Sequence, residues 1–194
     1  MIRFLAVLPP HHRIGRRRVR KGPNRKMTVA GIGIQNGQRG LAFGQHVKLN
    51  VYDSAITGNA GEGGISGDGT GSNVTVARCT ISANSNTLTG GGIRVVPSSF
   101  RVKARVKVVS STVRGNAAAI RGGGIFVEGK LTLIGSLVDD NSAEGAGGIF
   151  ANDLIVADST ISRNTSHSGR GGGVSASNAT VRNTTISGNA AIGS

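Results

Sequence analysis

Leu131–Asn141 reads LTLIGSLVDDN, Leu154–Asn164 reads LIVADSTISRN and Ala179–Asn189 reads ATVRNTTISGN. The same ten-residue approach to an asparagine also ends at Asn59, Asn84 and Asn116. The steps between the six asparagines are 25, 32, 25, 23 and 25 residues. The approach itself needs no gap, so the length variation lies elsewhere in each repeat. A period in this range marks a solenoid or array and takes precedence over any local motif.

The columns of the repeat specify its local structure. Three residues before each asparagine stand Ile56, Ile81, Val113, Val138, Ile161 and Ile186. Eight before stand Val51, Val76, Val108, Leu133, Val156 and Val181, and ten before stand Leu49, Val74, Val106, Leu131, Leu154 and Ala179. Positions eight and ten differ by two, the side-chain period of a strand. Position three pairs in the same way with the small residues at position five: Ser54, Cys79, Ser111, Ser136, Ser159 and Thr184. The step from eight to five is odd, so the chain must bend between the two strands. A third strand is expected after each asparagine but the last, beginning Gly-Gly-Ile65, Gly-Gly-Ile93, Gly-Gly-Ile125, Gly-Gly-Ile149 and Gly-Gly-Val174.

Short strands of one kind pair best when each lies against its copy one turn later. The expected fold is therefore all-β: a right-handed, single-stranded parallel β-helix over 27–194. It has about six coils of 23–32 residues with three short strands each. Asn59, Asn84, Asn116, Asn141, Asn164 and Asn189 are expected to form a structural ladder of stacked amides. A helical solenoid is excluded by 32 glycines in 194 residues, more than twice the usual ~7%, and by the β-branched periodic segments, which are poor helix formers.

Ser159-Thr160-Ile161-Ser162-Arg163-Asn164 and Thr184-Thr185-Ile186-Ser187-Gly188-Asn189, with glycine runs between coils, resemble bacterial right-handed β-helix repeats. They are similar to those of polymorphic outer membrane proteins and autotransporter-type adhesins. The outer-membrane family usually carries Gly-Gly-Ala-Ile and Phe-x-x-Asn; here Ile or Val replaces the Phe, so the likeness is to the broader repeat class. It covers Gly31 to Ser194. It implies an extracellular or cell-surface location and leaves activity open, because one fold hosts many functions.

Both ends of the array read as cut. Ala30-Gly31-Ile32-Gly33-Ile34 resembles the third strand of a preceding coil, and Asn189 is followed by no third strand. Either the chain is a piece of something longer or a mispredicted reading frame, or the apolar run Met1–Leu8 covers one end. Residues 1–26 form a basic arm, expected to be disordered, with nine Arg and Lys and no acid. Taking those nine from the 23 basic residues leaves 14 against 9 acidic ones, so the arm supplies most of the net charge of +14. The block has no interleaved aromatics, which disfavours nucleic acid as a partner. The stretch Phe4–Leu8 is too short for a signal-peptide core, and no run reaches the ~20 apolar residues of a membrane span.

The long step between Asn84 and Asn116 contains alternating basic residues, Arg101, Lys103, Arg105 and Lys107. On a strand they share a face and suggest a binding patch for an acidic polysaccharide or a cell-surface partner. The plainer reading is a solvated edge strand whose charges prevent further pairing. The acids Asp139, Asp140 and Asp158 are the weak candidates for glycoside chemistry, which needs two carboxylates flanking a sugar. Register places Asp139 beside Arg114 and Asp140 beside Arg163, as surface ion pairs. Phe126 and Phe150 hold one place in successive coils and should stack outward, as a sugar platform or as packing. His11, His12, His46 and His167 are scattered and Cys79 is the lone cysteine, so neither metal nor cofactor is expected. The reading that results is a non-catalytic surface or extracellular segment, acting as a stalk or interaction surface. The alternatives are a carbohydrate-active β-helix, binding or lyase- or hydrolase-like, and an incomplete gene product without a function of its own.

Overall fold

The computed structural model describes residues 25–99, 102–168 and 171–193 as short parallel strands and the turns that join them. The aliphatic columns stack in register. Met27, Leu49, Val74, Val106, Leu131, Leu154 and Ala179 face one another across successive strand pairs, and so do Val29, Val51, Val76, Val108, Leu133, Val156 and Val181. A second sheet carries Ile34, Ile56, Ile81, Val113, Val138, Ile161 and Ile186 in one line. Its seven strands make seven turns of a β-helix, wound with the right-handed sense of parallel crossovers. From Leu49 to Ile161 these core residues are at most 2% exposed, whereas Val181 and Ile186 in the last turn, covered on one side only, are 45% and 49% exposed.

The structure corrects two strand assignments. The Gly-Gly-Ile strands do not build a separate face: Ile125–Ile134, Ile149–Ala157 and Val174–Arg182 each run without a break into the first strand of the next repeat. The third face consists instead of short strands directly after the asparagines, such as Ser85–Asn86, Ala117–Arg121 and Ser142–Gly145. Its inward residues are Asn86, Ala118, Ala143 and Ser166, too small or polar to leave an aliphatic column in the sequence. At the start of the chain, Gly33–Gln35 lies against Ala55–Thr57 and Arg25–Ala30 against Val47–Tyr52. Ile34 therefore belongs to a second strand, preceded by its own first strand. Arg25 and Lys26 are part of that strand; the remainder of the basic arm, 1–24, lies outside the described residues.

Each turn has two left-handed corners, and the first of them produces the parity break. Residues six before each asparagine, from Asp53 through Arg78, Ser110, Gly135 and Asp158 to Asn183, all have φ between 44° and 54°. The residues just before the asparagines, Gly58, Ala83, Gly115, Asp140, Arg163 and Gly188, have φ between 51° and 64°. The second glycine of the Gly-Gly pairs serves close approach rather than positive φ: a Cβ on Gly92 would lie 2.6 Å from the Gly124 carbonyl, and one on Gly124 2.9 Å from that of Gly148.

Two side-chain ladders satisfy the buried corners. Along the asparagines, each Nδ2 donates to the next Oδ1 at 2.9–3.0 Å, from Asn59 through Asn84, Asn116, Asn141 and Asn164 to Asn189. Each backbone N–H donates to the same oxygen. Gly37, which holds the asparagine's place in the first turn, joins through its N–H to Asn59 Oδ1 at 3.1 Å. At the other corner the backbone N–H groups of Cys79, Ser111 and Ser136 each donate to the serine hydroxyl of the next turn at 3.1 Å. Cys79 replaces one serine there, buried among apolar groups; burial pushes its thiol above the usual range.

The long sheet is forked. Arg25–Ala30, Val47–Tyr52, Asn73–Ala77 and Ala104–Val109 form one track, and Leu41–Phe43, Ile65–Asp68 and Ile93–Val96 the other. Both join Ile125–Ile134. Asp68 straps the turns in the fork: it accepts from the Thr70 N–H (2.9 Å), Gln45 Nε2 (2.8 Å) and the Ser98 N–H (3.1 Å). Burial alone would raise its carboxyl, but these donors outweigh burial and hold it well below the ordinary carboxylate range. A group depressed in the folded state stabilises above its unfolded pKa near 4 and loses that contribution as pH falls. Asp68→Asn should therefore lower the melting temperature at neutral pH, with the gap to the parent protein shrinking from about pH 5 downward. A gap constant between neutral pH and about pH 3 would contradict this role.

Candidate interaction surface

The acids singled out in the sequence do not converge. Asp139 ends a strand of the second sheet (Leu137–Asp139), Asp140 forms the left-handed corner after it, and Asp158 forms the corner that enters the next strand of that sheet. Asp139 is only 1% exposed, so it is not a surface ion pair. It accepts from Arg163 Nη2 at 2.6 Å and Ser162 Oγ at 2.8 Å, and its Oδ2 lies 3.3 Å from Arg114 Nε. Arg163 thus pairs with Asp139 and not with Asp140. Register sets Asp139 between Arg114 and Ser162, and the left-handed turn at Arg163 brings its guanidinium back over that row. Asp140 is exposed, and Asp158 accepts from Asn183 Nδ2 at 3.2 Å. Among the described residues, no three His, Cys, Asp or Glu side chains group as metal ligands would.

Asp139 therefore acts as a clamp across three turns. Asp139→Ala should cost about 2–3 kcal/mol of stability, because it removes charge-assisted bonds from a desolvated group. Asp140→Asn should cost less than about 0.5 kcal/mol, because asparagine tolerates the same exposed left-handed corner. Denaturant midpoints at unchanged slope would read both; equal costs would refute the clamp.

The basic segment lies elsewhere than expected. Ala104–Val109 is no edge: it pairs with Asn73–Ala77 on one side and Ile125–Ile134 on the other. Arg105 and Lys107 are exposed on its outward face. Lys103 Nζ donates to Asp153 Oδ2 at 3.2 Å, across two turns, and Arg101 lies outside the described residues. The register adds cations that the sequence scan missed. Position eleven before the asparagine holds Lys48, Asn73, Arg105, Lys130, Asp153 and Asn178, with Lys26 ahead of them in the first turn. Only one such residue occurs per repeat, so the series reads as scatter until the turns are stacked.

The second feature is aromatic. The Phe126 and Phe150 rings stack at 4.8 Å between centroids and 11° between planes. Arg94 precedes them in the same row, a position that an aromatic pair in the sequence does not reveal. Desolvation pulls the Arg94 guanidinium below its usual range; Glu128 opposes this and Arg39 adds to it. Arg121 lies over Phe150 at 5.6 Å from the ring centre. Phe126 is 4% exposed, whereas Phe150 is half-buried. It borders a depression of about 100 Å³ lined by Arg121, Gly145, Ala146 and Ser175. No helix among the described residues is long and apolar enough to cross a membrane, which says nothing of strands.

A family model described as "Right handed beta helix region" matches residues 18–134. No curated protein and no solved structure matches the chain.

Proposed function

The chain belongs to the right-handed beta helix family, and from that premise we propose that the rod is a non-catalytic interaction surface. It acts at or outside the cell surface, as an adhesive face or stalk, with an acidic polysaccharide or another anionic cell-surface component as partner. The observation that supports this is the division of labour among its charges. The buried Asp139 spends its oxygens holding three turns together, Asp53 and Asp153 are paired with Arg78 and Lys103, and the long sheet turns unpaired cations to solvent. A glycosidase needs two carboxylates facing one sugar, whereas Asp139 is buried at a strand end and Asp140 and Asp158 stand at separate corners. The surface location and the adhesin-like role rest on the resemblance of the repeats.

The half-buried Phe150 ring beside its depression, with Arg121 over it, favours a second reading, a carbohydrate-active rod that stacks a sugar ring. One experiment separates the two. The full chain is incubated with immobilised and soluble anionic and neutral polysaccharides, and both retention and polymer length are followed. Retention without shortening supports the interaction surface. Shortening that disappears in Asp140→Asn or Asp158→Asn, variants that leave the clamp intact, would establish the enzyme instead.

A further inference from the structure

We propose that the outward face of the long sheet seats one strand of a linear acidic polysaccharide laid parallel to the rod axis, its charges met in turn by Lys26, Lys48, Arg105 and Lys130. This deepens the interaction-surface reading and rests on it.

The four cations occupy one row, one per turn except where Asn73 intervenes. All four are exposed, and among the described residues none takes part in an ion pair. Strand spacing sets Lys26 and Lys48, and likewise Arg105 and Lys130, about 4.8 Å apart along the axis, and Lys48 and Arg105 about twice that. Lys107 stands two residues beyond Arg105 on the same face, in a row with Thr28, Asn50, Thr75 and Thr132. The stripe ends at Asp153, whose carboxylate is taken by Lys103 and Asn178.

Like charges held this close repel one another, and the folding of the rod does not require them: the core columns lie on the opposite face of the same strands. A polymer carrying one carboxylate or sulfate per sugar relieves that repulsion along its length. Its hydroxyls find Asn73, Thr75 and Thr132 between the charges. A single nucleic-acid strand fits less well, because sequence-tolerant binding of bases relies on aromatic stacking. Neither row contains an aromatic residue, and the Phe126–Phe150 stack lies on another row with Phe126 buried.

The test uses the full chain, titrated calorimetrically with alginate over a range of salt. The triple variant Lys48→Glu/Arg105→Glu/Lys130→Glu is compared with the parent and with Arg182→Glu, a charge reversal outside the two rows. The triple variant should bind roughly 50-fold or more weakly at about 0.15 M salt, and the slope of log affinity against log salt should shallow by about 2–3. Arg182→Glu should match the parent, and neutral dextran should not bind. A triple variant with glutamines in place of glutamates guards against misfolding and should weaken binding in the same direction. Unchanged alginate binding in both triple variants would place the contact on the basic arm or beside Phe150. That would overturn the stripe while leaving an interaction surface. Tighter binding of oligo-dT than of alginate with the same number of charges would overturn the polysaccharide assignment. Shortening of the alginate would overturn the non-catalytic reading, whichever variant bound.

Discussion

Val108→Asp is expected to abolish cooperative folding of the rod at room temperature. Val108 is fully buried, with Val76 on one side and Leu133 on the other in the same column. A carboxylate there has neither water nor a cation within the core. Leaving a charge buried and unpaired costs about 3–5 kcal/mol, on top of the packing lost with the isopropyl group. Whole domains are stable by only about 5–15 kcal/mol. In a stack where each turn touches only its neighbours, a break in the middle also uncouples the turns on either side. Far-UV circular dichroism should lose its sharp thermal transition, and limited proteolysis should cut near the substitution. Val181→Asp provides the internal comparison: the same column, but 45% exposed in the last turn, where the carboxylate stays hydrated. Its effect should be under about 1 kcal/mol. A parent-like melting curve for Val108→Asp would remove the basis for the inward columns.

Asn141→Leu comes next in expected size. The Asn141 oxygen accepts from the backbone N–H and Nδ2 of Asn116, both at 2.9 Å. Its own Nδ2 donates to the Val113 carbonyl at 3.0 Å and to Asn164 Oδ1 at 2.9 Å. Leucine has nearly the same volume and removes all four bonds. Asn116 and Asn164 are fully buried, so water cannot take the vacated places. Asn116 Nδ2 keeps the Ile81 and Arg114 carbonyls and Asn164 Oδ1 keeps the backbone N–H of residue 141, so the buried Asn116 N–H bears the full cost of a lost partner, about 1–3 kcal/mol, and the other three lost bonds bring the expected total to about 4 kcal/mol. Asn189→Leu loses fewer bonds at a more exposed end, where about 1–2 kcal/mol is expected. Chemical denaturation of the pair reads the gradient; equal costs at both positions would show that the ladder is not cooperative with burial.

The parts of this fold visible in the sequence are those that repeat with a large side chain. Ile56, Ile81, Val113, Val138 and Ile161 specify their own register, because each has one partner per turn and all are bulky. The third sheet was invisible for the opposite reason: Ala118, Ala143 and Ser166 fill a narrow corner where nothing larger fits. The fork depends on whether a turn such as Asp68–Ser72 interrupts the long strand, and hydrophobic spacing does not encode that. The start of the first coil was concealed by charge, since Arg25 and Lys26, which open its first strand, read as the end of a basic arm. At the surface, alternation in Arg101–Lys107 suggested an edge strand. The partners that make Ala104–Val109 internal lie a full turn away in each direction. The pairing of Arg163 with Asp139 follows from a left-handed corner that residue identity alone does not reveal.

The spacing between ladder asparagines ranges from 23 to 32 residues, yet the bonds that join them stay within 0.1 Å of one another. What a turn presents to its neighbour is thus independent of how much chain it contains. Extra residues can be spliced into a bend, or whole turns duplicated, without disturbing the join above or below. Growth in reach and diversification of the outer face are then separate evolutionary variables: the first changes by copying, the second by substitution at outward positions.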